Sequence, residues 1–325
     1  MRNITAPRLQ RAIQYLFLGL SLWVGWEFVR FCQWAQAGGA PVARPGGVEG
    51  FLPISALLGF THLVRTGTWD PAHPAGLAIF LVALATGLLL RRGFCAFICP
   101  VGLVSNLVSE AGRRLGLERR VPRLANTVAR VPKYLLLGFF LATGVLGMSG
   151  PALERFLMSR YNLTADAHLL AFFLHPSATA LAVLALLAAA TLLWRNAWCR
   201  WLCPYGALLG LLSLACPTRV ARNENTCTHC RRCTRACPSG IAVHEKSVVR
   251  TPECLGCSCC VDACPEAGTL SMAVLNRPVH WAAVGLATLG LFALAWAAAR
   301  LTGRWDSSLP PLMLKALYAA ALGGT

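Results

Sequence analysis

The stretch from Cys227 to Pro265 constrains this chain more than any other. It reads Cys-Thr-His-Cys-Arg-Arg-Cys-Thr-Arg-Ala-Cys-Pro and then, after an intervening segment, Cys-Leu-Gly-Cys-Ser-Cys-Cys-Val-Asp-Ala-Cys-Pro. Each run is C-x2-C-x2-C-x3-C-P, a spacing that curls three thiolates around one face of an iron–sulfur cubane and sends the fourth to a second cubane. On that basis Cys227, Cys230, Cys233 and Cys264 hold one [4Fe–4S] cluster, and Cys254, Cys257, Cys260 and Cys237 hold the other. Structural zinc also uses C-x2-C pairs. One zinc needs only four ligands, however, and does not call for two quadruple runs each closed by proline (Pro238, Pro265). Cys259 falls between ligands and reads as a bystander.

Composition places that module in a membrane protein. Hydrophobic residues make up 56% of the 325 and charged residues only 13%, against about 25% charged in soluble domains. The net charge of +17 raises nucleic acid as a partner, but the Lys and Arg cluster beside apolar spans, where they set topology and meet anionic lipid. The 15 cysteines read as ligands and thiols of a reducing compartment rather than as disulfides.

The expected architecture is mostly α: a polytopic helical membrane protein, internally duplicated, with an inserted α+β two-cluster module on the cytoplasmic side. Five spans are expected, at Ile13–Phe31, Ala75–Leu90, Tyr134–Met148, Pro176–Trp194 and Val279–Leu301. Glu27 and Arg30 stand one turn apart in the first and are expected to pair. That span also resembles a signal peptide, with Ala35-Gln36-Ala37 as a cleavage site, but its apolar run is long for a signal core and reads as a retained anchor. Phe51–Val64 is too short to cross about 30 Å of hydrocarbon and reads as re-entrant or interfacial. Val101–Leu117 has the pattern of an amphipathic surface helix, and Leu312–Leu322 of an interfacial tail helix.

Arg91 to Gly102 and Arg195 to Gly206 match at the Arg, at both cysteines of C-x3-C, and at the following Pro and Gly, with a period of 104 residues. This is an internal duplication. The expected domains are 1–117 and 118–221 as two membrane repeats, 222–276 as the iron–sulfur module, and 277–325 as a last span with an extracytoplasmic tail. Of the 30 Lys and Arg, 22 fall in the N-terminus, in 91–133 and in 195–277. By the positive-inside rule the N-terminus and cluster module are cytoplasmic and the C-terminus periplasmic, in a bacterial inner membrane.

Cys95, Cys99, Cys199 and Cys203 form a second set. Three intervening residues put each pair about one helical turn apart, and pseudo-twofold symmetry would turn the pairs toward each other. Three readings stand: a third iron–sulfur or metal centre, redox-active disulfides, or inert thiols at the membrane face. Cys32 and Cys216 read as small apolar residues.

The twin motifs Cys95–Pro100 and Cys199–Pro204, the spans and the late double-cluster module resemble the NapH/NosR/CcoG-type membrane polyferredoxins. Arg44-Pro-Gly-Gly-Val-Glu-Gly-Phe-Leu-Pro-Ile54 resembles the first loop of NapH-type proteins. The resemblance covers Ile13 to about Leu275; the fifth span and tail depart from the four-span NapH pattern. It implies a bacterial-type 2[4Fe–4S] ferredoxin and an accessory respiratory electron-transfer subunit, with quinol oxidation its usual role. Partners would be other redox subunits, cytochromes or iron–sulfur proteins.

A quinone site needs an apolar cleft with a few polar groups at head-group depth. Candidates are Glu49, His62, Asp70 and His73, with His168 and His175 in the next loop; ordinary interfacial loop residues are the competing reading. No C-x-x-C-H haem attachment, Walker or Rossmann motif is present. Arg231, Arg232 and Arg235 flank the first cysteine run, where they raise its potential, dock an acidic partner, or face lipid. The leading function is single-electron transfer between the quinone pool and a redox partner. The alternatives are metal-centre maturation or copper reduction at the C-x3-C-P cysteines, and a scaffold whose clusters stabilise a partner complex.

Overall fold

The computed structural model describes residues 5–119 and 121–323; Arg2 and Arg120, counted above among the basic residues, lie outside them. The described chain is mostly helical with one small sheet. Three described helical stretches are long and apolar enough to cross a membrane: Ala6–Ala37, Arg123–Leu146 and Ala283–Leu301. A fourth candidate is the bent pair Ala165–Leu174 and Ala178–Leu193, meeting at 79°. Pro176 accounts for the bend. It has no N–H to continue the ladder and forces the preceding residue out of helical geometry, and His175 sits at φ −129°, ψ 61°.

Pro74–Leu89, where a second span was expected, has 16 residues. At 1.5 Å per residue it reaches about 24 Å, short of a full hydrocarbon crossing. The expected fifth span begins as a strand, Arg277–Val279, and becomes helical only at Ala283. Glu27 and Arg30 pair at 3.1 Å, as their spacing predicts.

The chain divides into two compact units. The first comprises residues up to Leu18, Ala83–Leu137 and Ala185–Leu291. Its sheet has the order β2-β1-β3-β4, all antiparallel, from β1 (Thr218–Arg222), β2 (Val248–Val249), β3 (Leu270–Val274) and β4 (Arg277–Val279). Val220, Met272 and Val249 fill its buried face. Leu275 and Asn276 close the β3–β4 hairpin, both at positive φ, as a two-residue turn matched to strand twist requires.

Both C-x3-C-P motifs adopt one unusual backbone. Phe94–Ile98 and Trp198–Leu202 are π turns at the same 104-residue offset. The amide of Cys99 donates to Phe94 O and that of Cys203 to Trp198 O, each at 3.0 Å. Proline explains the widening. Pro100 has no N–H for Ala96 O, four residues back. Ala96 O instead accepts from the side chains of Gln14 at 2.8 Å and Gln10 at 3.0 Å. Pro100 and Pro204 then start new helices, Pro100–Arg114 and Pro204–Leu212, at the position where a missing N–H costs nothing.

The second unit comprises Gly19–Val82, Gly138–Leu184 and Phe292–Thr325. One of its apolar clusters joins Phe28, Phe31, Trp34 and Ala167 to Leu314 and Tyr318. The expected interfacial tail helix, Pro311–Leu322, is therefore anchored: Tyr318 is fully buried, edge-on to Phe31 with ring centres 5.0 Å apart. The helix Pro53–Thr66 packs Leu58 on Leu153 and Leu157, and ends at Gly67 in left-handed conformation.

Candidate iron–sulfur centres and their surroundings

In the first unit, Cys227, Cys230, Cys233 and Cys264 line a single concavity. Its wall is shaped by left-handed residues. His229 has φ 52° and Arg231 φ 60°, and their counterparts 27 positions on, Gly256 and Ser258, have φ 71° and 60°. Backbone that alternates hands turns successive amides to one side and forms an anion-binding nest. The two cysteine runs thus fold as copies. Gly256 leaves little room for a side chain: at its positive φ, a Cβ would stand 3.2 Å from both Arg91 Cβ and Leu90 O.

Cys237, Cys254, Cys257 and Cys260 are all buried. Burial pushes the Cys237 thiol up to about 12, with Cys257 and Cys254 close enough to add to the shift. Burial and the same neighbours hold Cys260 well above the ordinary thiol range. The first set is more open, with Cys230 exposed and Cys227 and Cys264 partly so. Among the described residues no three His, Cys, Asp or Glu side chains converge closely enough for a single metal ion; the first set borders a wider hollow instead. Four crowded, buried thiols fit a multi-iron core, whose positive charge permits ionisation. Cys259 gives its S–H to Gln10 Oε1 at 3.3 Å.

The structure also brings Cys95, Cys99, Cys199 and Cys203 together. Burial pushes Cys99 up to about 12, with Cys95 and Cys203 near it. Cys199 is raised in the same way, with Cys203, Cys99 and Cys95 as neighbours. The glycine of each motif has a steric role. A Cβ on Gly102 would lie 2.6 Å from Cys95 O, and one on Gly206 would collide with the Arg92 guanidinium. Gly206 N donates to Cys203 Sγ at 3.3 Å. Asn196, at φ 53°, accepts from Ser105 at 2.9 Å and donates to Asn106 at 3.0 Å, fastening the two motifs to each other.

The matched arginines dock the cluster module. Arg91 is buried and donates to Ser213 O at 2.9 Å and to Val249 O. Its duplicate Arg195 donates to Arg235 O at 3.1 Å and Cys237 O at 3.3 Å. Cys216, expected to be a small apolar residue, accepts from the amide of Arg91 at 3.2 Å. Glu253, the residue before Cys254, is buried in a bidentate ion pair with Lys133 at 2.7 and 2.9 Å. Arg92 stands 3.6 Å from the same carboxylate. Sequence reasoning missed this group. Its signal was the rarity of acids: 13 in the whole chain, one of them beside a ligand cysteine.

The second unit contains the candidate polar loop residues. Glu49 is fully buried, 2.6 Å from Arg44 and 3.5 Å from His73 Nδ1. His73 Nε2 lies 2.7 Å from Asn162 O. Asp70 Oδ1 accepts from the amides of Ala72 and His73. His62 is not in this group; it pairs with Thr68 at 2.8 Å. His168 and His175 are exposed. Arg44 also binds Asp166 at 2.7 Å, and Tyr318 donates to Asp166 at 2.6 Å. Neither partner was expected, because both lie far along the chain.

A family described as a 4Fe-4S binding domain matches residues 72–118 and again 176–221, at the 104-residue offset of the motifs. One described as a 4Fe-4S dicluster domain matches 219–265. Among curated relatives, the putative electron transport protein YccM of Escherichia coli (strain K12) is 36% identical over 331 residues, 98% of this chain and 92% of the relative. The ferredoxin-type protein NapH of the same organism is 28% identical, over 60% of this chain and 67% of the relative. The methylamine utilization ferredoxin-type protein MauN of Paracoccus denitrificans is 30% identical, over 52% of this chain and 56% of the relative. No solved structure matches the chain significantly. The chain carries [4Fe–4S] clusters and transfers electrons to and from redox partners, and it belongs to the NapH-like family of membrane polyferredoxin-type proteins.

Proposed function

We propose that this chain is the membrane-integral subunit that passes single electrons between the quinone pool and a redox partner. Cys227, Cys230, Cys233 and Cys264 would hold one [4Fe–4S] cluster; Cys237, Cys254, Cys257 and Cys260 a second; Cys95, Cys99, Cys199 and Cys203 a third. When bound, such clusters accept and release one electron at a time without bond chemistry.

The observation that carries this reading is the gathering of three cysteine sets of differing exposure within one compact unit. The C-x3-C-P cysteines are joined to Cys254 through Arg92 and Glu253. The set containing Cys254 is buried, and the set containing Cys230 opens to solvent. Exposed Arg231, Arg232 and Arg235 rim that opening, which suits a partner with an acidic docking face. At the other end of the reaction, Glu49, Asp70 and His73 are the polar groups assigned to a quinone head group; His62, paired with Thr68, is left out. Glu49 and His73 are neighbours, so a proton released there meets an acceptor.

The charge distribution supports the N-terminus and 195–277 in the cytoplasm and the C-terminus in the periplasm of a bacterial inner membrane, an arrangement that needs five crossings with the 16-residue Pro74–Leu89 counted among them. The 104-residue duplication supports two membrane repeats, 1–117 and 118–221, ahead of the 222–276 module and the 277–325 segment.

Anaerobic reduction by a quinol analogue tests the proposal. The wild-type clusters should become reduced, and the Cys95/Cys99/Cys199/Cys203 quadruple serine variant should leave the ferredoxin clusters oxidised although dithionite still reduces them. No reduction of wild-type protein by quinol sinks the quinone assignment. Copper or zinc in place of iron at those four cysteines would favour the metal-handling alternative.

A further inference from the structure

Glu253 is enclosed by more positive charge than one carboxylate balances. Lys133 Nζ donates to both of its oxygens, Arg92 lies 3.6 Å away, and Arg130 4.0 Å. Tyr134 adds a weak hydroxyl contact at 3.5 Å. Lys133, Arg92 and Glu253 are fully buried or nearly so, while Arg130 keeps a partly exposed side chain. Three cations around one anion leave a surplus of positive charge inside the first unit. The surplus faces cysteines: Arg92 is close enough to Cys95, Cys203 and Cys199 for their charges to act on it, and Glu253 is bonded to Cys254 through one peptide link. Arg92 Nε and Arg130 Nε donate to no protein atom among the described residues.

Buried ionic groups of this kind are costly unless paired, and Glu253 accounts for only one of the three cations. Four thiolates around an iron–sulfur core supply the missing negative charge. An electron arriving at such a site is repelled by a nearby carboxylate and attracted by a nearby cation, and the effect is strong where water is excluded. Hydrogen bonds and charge around the sulfurs are among the levers by which protein sets cluster potential.

We infer that Glu253, with Arg92, Lys133 and Arg130, is a charge-tuning group that sets the potentials of the C-x3-C-P site and of the Cys254-containing site against each other. Glu253 lowers the potential of the sites beside it, and each cation raises it. The three cations come from two other segments, so the balance is made only when 91–92, 130–133 and 253–254 fold together. This rests on the reading that both cysteine sets hold clusters.

The test is a redox titration of the anaerobically purified full chain, followed by electron paramagnetic resonance, with iron assayed on each sample. Glu253→Gln should raise the midpoint of the affected signals, and Lys133→Gln should lower it. Each shift is expected to change the reduced-to-oxidised ratio at a fixed potential about tenfold, equivalent to 59 mV for one electron. Tyr134→Phe, which leaves the charge unchanged, should shift neither. A merely structural role predicts shifts without a sign that follows charge. Unmoved midpoints, or Glu253→Gln and Lys133→Gln moving them in the same direction at wild-type iron content, overturn the inference. If Glu253→Gln loses iron, Arg130→Gln at the partly exposed edge decides: a lowered midpoint supports the inference and an unmoved one overturns it. Wild-type protein with fewer than two cluster signals would instead defeat the underlying cluster assignment.

Discussion

Glu49 and Asp70 are both buried in the second unit, and their surroundings push them in opposite directions. Burial alone would raise Glu49, but Arg44 and His73 outweigh it and hold the carboxyl below its ordinary range. Asp70 has no such cation in contact. Burial raises it despite two backbone amides on Oδ1, while Oδ2 has no hydrogen-bond partner among the described residues. A lowered folded pKa means that Glu49 adds stability above its unfolded value of about 4.3, and this is lost as pH falls through the folded one. For Asp70 the sign reverses: its favourable contribution exists below about 3.9 and is lost as pH rises through its higher folded value. Glu49→Gln should therefore destabilise the protein at pH 7 by about 3–5 kcal/mol, the cost of stripping one partner from a buried ion pair. Asp70→Asn should raise the melting temperature at the same pH. Thermal unfolding in detergent micelles, followed by helical circular dichroism, checks both, and a loss of stability in Asp70→Asn contradicts the assignment. The sequence marked Glu49, Asp70 and His73 as notable polar residues of an apolar chain. It gave no sign that Arg44, Asp166 and Tyr318 join them, because pairing across more than 100 residues is decided by tertiary packing.

At the scale of elements, the C-x3-C-P turns show how far spacing alone carries. Three intervening residues predict two cysteines on one side of a helical turn, and both pairs do lie together. The widening to a π turn was not legible, because it depends on a distant event. Pro100 withholds an amide, and Gln10 and Gln14, from the first helix, supply the replacement donors for Ala96 O. Gln14→Leu should cost about 1–3 kcal/mol, the penalty of leaving a buried acceptor short of donors, visible in the same melts. Gly102→Ala would press a Cβ against Cys95 O. It should lower iron by about four per chain, one cubane, while the ferredoxin signals persist. Iron unchanged in a folded Gly102→Ala protein would mean that this turn holds no centre. Helix ends were the other gap. Hydropathy located the apolar segments, but Pro176 bends one and the pairing of β4 with β3 takes the start of another. Neither is decided by the residues of the segment itself.

For the whole molecule, the proposed reading rests on three sets of cysteines, two interleaved in 227–264 and one from the C-x3-C-P motifs, gathered in one compact unit with buried arginines, Asn196 and Glu253. The double cysteine run as a dicluster module was readable from spacing, since local loops build its cups. The buried charges around Glu253 were not, since they meet only when three segments come together. The basic rim at Arg231, Arg232 and Arg235 carries a whole-molecule prediction. Electron exchange with an acidic soluble carrier should slow by tenfold or more between low and physiological salt, as electrostatically steered encounters do. Changing all three to glutamine should remove that dependence in stopped-flow traces. The most direct measurement is iron and acid-labile sulfide per chain in anaerobically purified protein, before and after Cys95, Cys99, Cys199 and Cys203 are changed to serine. Three cubanes predict about 12 of each, falling to about 8 in the variant. About 8 in both proteins would contradict the third centre, and a wild-type chain without iron or sulfide would contradict the account as a whole.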